Sequence, residues 1–211
     1  MQTIKIIATL LLIATTTALA QTDSRNANNL FDGKHKTNHT VSIDAVIEAT
    51  PPEVYRLWTT EDGVRKFFAP AAHIGATEGA EYTIVFSPDK DPQGLLYGTR
   101  GARILTLSPG KKISFEWITF AGDASLGKDG PPFVPLDIRN VSPLPTWVEI
   151  TLEPSNSGQK TTLHFRHYGF KEGELWDESF QWFSRVWPMV IESLQKYCTE
   201  NQNASKTNRR Y

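Results

Sequence analysis

The chain has 211 residues, of which 39% are hydrophobic and 21% are charged, with 22 Lys and Arg residues against 23 Asp and Glu residues. This length predicts one domain large enough to bury a hydrophobic core. The formal net charge of −1 argues against a nucleic acid partner, because such binding needs a basic surface that neutralises phosphates. The single cysteine, Cys198, excludes an intramolecular disulfide and a zinc site built from several thiolates.

Residues 1–20 have the pattern of a secretory signal peptide. One positive charge, Lys5, precedes an apolar run at 6–13, and an A-x-A cleavage pattern ends at Ala20. The alternative is an uncleaved membrane anchor, but the run is shorter than the roughly 20 apolar residues that a membrane-spanning helix needs. We therefore expect an exported protein, periplasmic or secreted, with no integral membrane segment after signal cleavage.

The folded domain is expected at residues 40–198. The segments on either side of it, 21–39 and 199–211, are polar and have no apolar periodicity, so we predict a disordered linker and a disordered tail. A single helix-and-sheet domain therefore has to account for the apolar residues between them.

The first predicted elements are a strand and two short helices. Residues 40–49 alternate between apolar and polar side chains, which is typical of a half-buried strand. Thr50, Pro51 and Glu53 then supply a capping hydroxyl, a proline at the first helical position and the acidic partner of a capping box. This predicts a helix that ends near residue 60, and a second helix follows at 61–68.

Further strands are indicated by period-two alternation, with apolar side chains on one face and polar ones on the other. The clearest predicted strands lie at 82–86, 113–117, 148–153 and 163–167, and less regular ones lie at 73–76 and 95–107. Turns rich in Pro, Gly and Asn separate the runs, so we expect neighbouring strands to form antiparallel hairpins.

The last predicted element is a long helix at about 175–198. Its apolar stripe, with intervals of four and three residues, consists of Trp176, Phe180, Phe183, Trp187, Val190, Leu194 and Tyr197. Pro188 interrupts the stripe and predicts a kink rather than a break, because the stripe continues beyond it.

In this order of elements the sequence resembles the START-like helix-grip (SRPBCC) superfamily, and within it the branch of activator of heat-shock-protein ATPase homologues. The resemblance covers about residues 40–198. The segments that carry it are 49–58, Phe67-Phe68-Ala69-Pro70, 108–113 ahead of Phe115-Glu116-Trp117, His167-Tyr168-Gly169-Phe170, and Trp187 with Leu194. It implies an α+β helix-grip fold, in which a curved antiparallel β-sheet wraps around the long C-terminal helix and two short helices follow the first strand.

The resemblance also implies a cavity between the sheet and the final helix. From strand parity and the helical stripe, the predicted ligand-binding residues are Phe67, Phe68, Tyr82, Phe86, Phe115, Trp117, Phe165, His167, Phe183 and Trp187. Each of them would also suit a packed core. As a group they favour a deep apolar site with a few polar atoms, and we hypothesise that Tyr82 and His167 supply those atoms.

Catalytic chemistry has little support in the sequence. The strand carboxylates, Glu81, Glu116, Glu149 and Glu153, all have the parity opposite to the apolar face. His167 is the one imidazole predicted to point inward, where a hydrogen-bonded core histidine is a more frequent role than a general base. No spacing typical of a catalytic triad occurs. We therefore predict no catalytic residue, no cofactor and no metal ligand.

Residues 120–145 form an insertion within the domain. Their Gly and Pro content argues against a strand pair, and their apolar residues suggest either a lid over the cavity or an ordered surface loop at the sheet edge.

Three functions remain open at this point. The first is an exported, non-catalytic protein that binds a small hydrophobic or amphipathic molecule in the cavity. The second is a cyclase-like or hydrolase-like enzyme in which His167 and Tyr82 act as acid and base. The third is a protein-interaction module related to the co-chaperone domain, which export disfavours because an ATP-driven cytosolic chaperone occupies another compartment.

Overall fold

The protein is described by a computed structural model. The described residues are 39–95, 97–117, 120–121, 134–135, 146–172 and 174–208. The predicted signal peptide at 1–20, the linker up to residue 38 and most of the insertion at 120–145 lie outside them.

The described residues form an α+β fold whose elements follow the predicted order. The elements are β1 (Val41–Ile47), α1 (Pro51–Thr59), α2 (Glu61–Phe67), β2 (Ala71–Ile74), β3 (Tyr82–Val85), β4 (Ile104–Ser108), β5 (Lys112–Trp117), β6 (Phe120–Ala121), β7 (Val134–Pro135), β8 (Thr146–Ser155), β9 (Lys160–Tyr168) and α3 (Glu174–Asn208). The two short helices after the first strand and the long C-terminal helix are thus confirmed.

The main sheet has five antiparallel strands in the order β1-β9-β8-β5-β4, and α3 packs on one of its faces. Its register aligns the inward residues in rows across the strands. One row contains Val41, His167, Val148 and Phe115. Side chains alternate between the two faces of a strand, so these residues all point towards α3 while their neighbours form a polar outer face.

In each of the two edge strands of this sheet, a backbone group forms a hydrogen bond with a side chain from another part of the chain. On β1 the Gln195 side-chain amide donates a hydrogen bond to the Val46 carbonyl oxygen at 3.0 Å. On β4 the Glu78 carboxylate accepts a hydrogen bond from the Leu107 N–H at 2.8 Å. The pairing of β4 with β5 also shifts register between Ile104 and Thr106.

The strand predicted at 95–107 is wrong in its first part, because strand β4 begins only at Ile104. The preceding backbone contacts β3 closely: a Cβ atom on Gly98 would lie 2.3 Å from the Ile84 carbonyl oxygen. Gly94 and Gly101 have φ angles of 67° and 91°, which only glycine adopts at little cost. Here glycines bend the chain against β3 instead of extending the sheet.

The insertion at 120–145 contains a strand pair, contrary to the prediction. The pair joins β6 and β7 in an antiparallel arrangement, with Phe120 opposite Pro135. Each strand has two residues. A lone proline is tolerated at such a short edge because few ladder hydrogen bonds are needed.

Helix α3 starts where the sequence predicts and is continuous through Pro188, but it does not end at Cys198. It continues to Asn208, through residues predicted to be a disordered tail. The Thr199 hydroxyl and the Asn201 amide donate to main-chain carbonyls one turn earlier. Extending an existing helix adds one backbone hydrogen bond per residue without a new nucleation step, so polar residues can follow the packed part of the helix.

Helices α1 and α2 are held at a close crossing by Gly63. A Cβ atom at this position would lie 2.6 Å from the carbonyl oxygens of Arg56 and Leu57. The start of α1 is fixed by Glu53, whose carboxylate accepts a hydrogen bond from the Thr50 N–H at 2.8 Å. Both helices thereby present their apolar sides, including Trp58 and Phe67, to the core.

We expect Gly63→Ala to lower the free energy of unfolding by about 1–3 kcal/mol, because the added methyl group meets backbone atoms that cannot move without separating the helices. Lys66→Ala, an exposed change on the same helix, is the control and should stay within about 0.5 kcal/mol. Urea unfolding followed by circular dichroism measures both. Equal stability of the two variants would show that the helix crossing tolerates a side chain.

Candidate functional site

The structure brings all ten predicted ligand-binding residues into one group of rings between α3 and the sheet. We call this group, together with Trp58 and Phe170, the aromatic cluster. Its sheet members are Tyr82, Phe115, Trp117, Phe165 and His167; its other predicted members are Phe67, Phe68, Phe86, Phe183 and Trp187. Phe86 is half-buried, and the other nine predicted residues are at most 3% exposed. Their ligand-binding role remains a prediction.

Two rings lie at the centre of the aromatic cluster. Phe68 has its ring centroid 5.7 Å from Trp187 and 6.0 Å from Trp117. Trp187 in turn lies 4.6 Å from Phe165 and 4.7 Å from Trp117. Tilted and edge-to-face contacts of this kind add to the hydrophobic stabilisation that ring burial provides. The centre is therefore where α3, α2 and the sheet meet.

Trp58 and Phe170 were not predicted as members of the cluster. Trp58 is fully buried, and its ring contacts Phe67 at 4.9 Å. The apolar spacing of Val54, Leu57 and Trp58 within α1 indicates a buried helix face, and that signal could have identified Trp58. Phe170 follows β9 outside any element, where no periodicity marks a residue as inward.

His167 joins the sheet to α3 through a single hydrogen bond. The Trp187 Nε1–H donates to His167 Nδ1 at 2.9 Å. Because an indole nitrogen can only donate, Nδ1 must be the acceptor, and the proton of the neutral imidazole is on Nε2. Nε2 is buried and has no hydrogen-bond partner among the described residues. Burial also lowers the pKa of His167 well below its ordinary value, so the ring stays neutral.

Tyr82, the second predicted polar group, is engaged with the protein. Its hydroxyl donates to the Trp58 carbonyl oxygen at 2.9 Å, and its ring stacks on Phe115 at 3.9 Å. Burial raises the pKa of Tyr82, which keeps the phenol protonated. Of the two predicted polar groups, His167 is thus the one with an unoccupied donor.

Two other members of the cluster also have unpartnered polar atoms. Within the described part of the chain, the Nε1 atoms of Trp58 and Trp117 are buried without a hydrogen-bond partner, and the hydroxyl of Ser179, one turn before Phe183 on α3, has none either. Leaving such a group buried and unsatisfied costs about 1–3 kcal/mol. The aromatic cluster therefore combines a large apolar surface with hydrogen-bonding capacity that the described residues leave unused.

The strand carboxylates lie outside the aromatic cluster, as their parity predicted. Glu149 pairs with Lys112 at 2.7 Å, and the Glu116 carboxylate accepts a hydrogen bond from the Arg103 N–H at 3.0 Å. Glu81 and Glu153 are exposed. None of these four carboxylates can exchange a proton with a molecule held among the rings.

Two other kinds of site are absent from the described part of the chain. No group of three or more His, Cys, Asp or Glu side chains there could hold a metal ion. None of the helices there combines the length and the apolarity needed to cross a membrane.

The Cys198 thiol is packed into the core, as favoured by the sequence. It is 4% exposed, and burial raises its pKa to about 12. A thiol in this state is a poor nucleophile, so Cys198 acts as a small apolar side chain of α3.

We expect the stability of the protein to fall as the pH is lowered from about 6.5 to 5, the range in which unfolded histidine binds a proton that buried His167 does not accept. The free energy of unfolding should decrease by roughly 1.4 kcal/mol per pH unit from this group. His167→Gln should remove that slope, and His164→Gln on the outer face should retain it. Urea unfolding at a series of pH values measures the slope, and an unchanged slope in His167→Gln would contradict the assignment.

Comparison with known proteins places the fold and the family. A sequence profile described as activator of Hsp90 ATPase homolog 1-like protein matches residues 48–199. The comparison with curated proteins gave no match.

Three solved structures illustrate the shared fold. Protein MLL2253 from Mesorhizobium loti is 18% identical with a TM-score of 0.54, and the match covers 76% of this chain and 97% of that one. Protein NE0264 from Nitrosomonas europaea is 14% identical with a TM-score of 0.52, covering 80% and 99%. DynU16, a putative protein in the dynemicin biosynthetic locus, is 16% identical with a TM-score of 0.52, covering 76% of this chain and 47% of DynU16. The profile match spans well over half of the sequence, and the chain belongs to the activator of Hsp90 ATPase homolog 1-like family within the SRPBCC superfamily.

Proposed function

We propose that this protein is an exported, non-catalytic binding protein that holds a small apolar or amphipathic molecule at the aromatic cluster. The observation that carries the proposal is His167 Nε2–H, a fully buried donor without a partner at the interface between the sheet and α3. Leaving this donor unsatisfied costs stability, and an apolar side chain at this position would not avoid the cost, because Trp187 Nε1 would then lose its acceptor. A ligand atom that accepts this hydrogen bond would remove the same cost.

The surroundings of His167 suit an apolar ligand. The centroids of the Phe170 and Phe183 rings lie 4.5 Å and 4.9 Å from that of His167, and Trp117 lies at 6.4 Å. Small-molecule sites are typically lined by apolar and aromatic side chains with a few polar groups that fix orientation. An aromatic cluster with one free imidazole donor matches that description.

The hydrogen bonding of His167 also favours binding over catalysis. A general base needs a free lone pair, but Nδ1 already accepts the Trp187 proton and Nε2 carries its own. The Tyr82 hydroxyl donates to a backbone carbonyl. The enzyme function would require both groups to exchange their present partners.

A protein partner is the second candidate, suggested by the family's description as an activator of a chaperone ATPase. The outer face of the sheet is charged, and its charges pair with one another, for example Asp44 with Arg166 at 2.8 Å. The centre of a protein–protein interface is usually depleted of charged residues. We therefore place ligand binding first.

Export predicts a shortened chain. Expressed in a host with a secretion system, the protein should be recovered outside the cytoplasm with Gln21 as its first residue, because the A-x-A pattern ends at Ala20. Intact-mass measurement of the periplasmic or secreted fraction reads this directly. A matched variant with Ala18 and Ala20 changed to bulky Leu should remain unprocessed. A wild-type chain that keeps residues 1–20 in the cytoplasm would contradict export.

Ligand binding predicts an additional mass on the protein. Native mass spectrometry of the protein purified from such a host should show a defined species that denaturing solvent releases. Phe183→Leu, which removes a ring beside His167, should lower the occupied fraction at least severalfold.

Tyr168→Leu is the matched control, because the Tyr168 ring stacks on Trp147 away from the cluster. It should leave the occupied fraction unchanged. Circular dichroism verifies that both variants fold. No bound mass in the wild type, together with no uptake of the apolar fluorophore Nile red, would mean that the aromatic cluster is only a packed core.

A further inference from the structure

The unpartnered ring nitrogens of the aromatic cluster can only donate hydrogen bonds. His167 can only donate from Nε2, because Trp187 occupies Nδ1 with a donor of its own. Trp117 Nε1 is also unpartnered, and an indole nitrogen has no acceptor capacity. The two neighbouring rings therefore offer two hydrogen-bond donors and no acceptor.

Three main-chain carbonyls of cluster residues already accept a side-chain hydrogen bond. The Trp58 carbonyl oxygen accepts the Tyr82 hydroxyl, and the Phe67 carbonyl oxygen accepts the Ser193 hydroxyl at 2.7 Å. The Thr146 hydroxyl donates to the Trp117 carbonyl oxygen at 2.6 Å. A ligand with hydroxyl or amine donors would have to share these carbonyls with their present donors.

Charge restricts the ligand further. The described members of the aromatic cluster carry no ionised side chain, and burial keeps His167 neutral. A carboxylate or ammonium group brought into such surroundings would lose its hydration without gaining a counter-charge, which is costly. A neutral acceptor group does not incur this cost of lost hydration.

We propose that the ligand is an apolar, ring-containing molecule with a neutral carbonyl oxygen, which accepts hydrogen bonds from His167 Nε2–H and Trp117 Nε1–H. This inference rests on the proposed binding function and specifies the chemistry of the same site. His167 and Trp117 are neighbours in the cluster, with ring centroids 6.4 Å apart and planes nearly perpendicular, at 78°. Trp58, whose ring lies 5.8 Å from that of Phe68, provides a further donor for a second acceptor atom.

The test uses two fluorescent probes that differ in one carbonyl group. Prodan, 6-propionyl-2-(dimethylamino)naphthalene, supplies the acceptor, and 6-propyl-2-(dimethylamino)naphthalene has a methylene group in place of the carbonyl. Titration of the mature protein should give an affinity for prodan roughly tenfold higher, the value of about one hydrogen bond to a buried neutral donor. The emission of bound prodan should also lie at longer wavelength than in an apolar solvent, because a hydrogen bond to its ketone shifts emission to the red.

Trp117→Phe is the diagnostic variant, because it keeps an aromatic ring and removes the indole donor. It should weaken prodan binding severalfold, shift the bound emission to the blue and leave the affinity for the carbonyl-free probe nearly unchanged. Trp147→Phe is the matched control, because Trp147 is a half-buried tryptophan stacked on Tyr168 at the outer face. It should alter neither probe.

The outcomes distinguish a failure of the acceptor inference from a failure of the binding function. Equal affinities of the wild type for both probes would overturn the acceptor inference while leaving the binding function in place. An equal loss for both probes in Trp117→Phe would do the same. Failure of both probes to bind would reject the binding function together with this inference. The comparison of the two probes on the wild type stands even where Trp117→Phe does not fold.

Discussion

The hydrogen bond from Trp187 to His167 is the interaction on which the site depends, because it is a polar link between the long helix and the sheet inside an apolar core. It fixes the tautomer of the imidazole and so decides which nitrogen keeps a proton. Both rings also make several of the cluster's aromatic contacts. Packing and hydrogen-bond polarity are therefore set by the same pair of side chains, and a change in either residue alters both.

Other polar contacts tie the short helices to this core. The Ser193 hydroxyl of α3 bonds to the carbonyl at the end of α2, and the Tyr82 hydroxyl of β3 bonds to α1. These bonds satisfy carbonyl groups that a helix terminus otherwise leaves without a partner. The helices are thus held by donors from β3 and from α3.

The sequence predicted the parts of the fold that follow a regular period. Strand alternation placed His167 and Trp117 on the inward face, and the helical stripe placed Trp187 opposite them. The sequence could not predict that the Tyr82 hydroxyl bonds to a carbonyl 24 residues earlier, because such a partner depends on how the helix packs against the strand. The same holds for the irregular chain before Ile104, where glycines adapt to a neighbouring strand, and for the helical extension after Cys198.

The hydrogen bonds at the two edges of the main sheet have a consequence for self-association. An edge strand with free backbone groups invites pairing with a strand of another molecule, the first step towards aggregates. In this protein Gln195 occupies a carbonyl of β1, Glu78 occupies an N–H of β4, and the register shift in β4 interrupts its ladder. A second chain that adds to either edge would first have to displace the side chain there, so these edges work against edge-to-edge polymerisation at high local protein concentration.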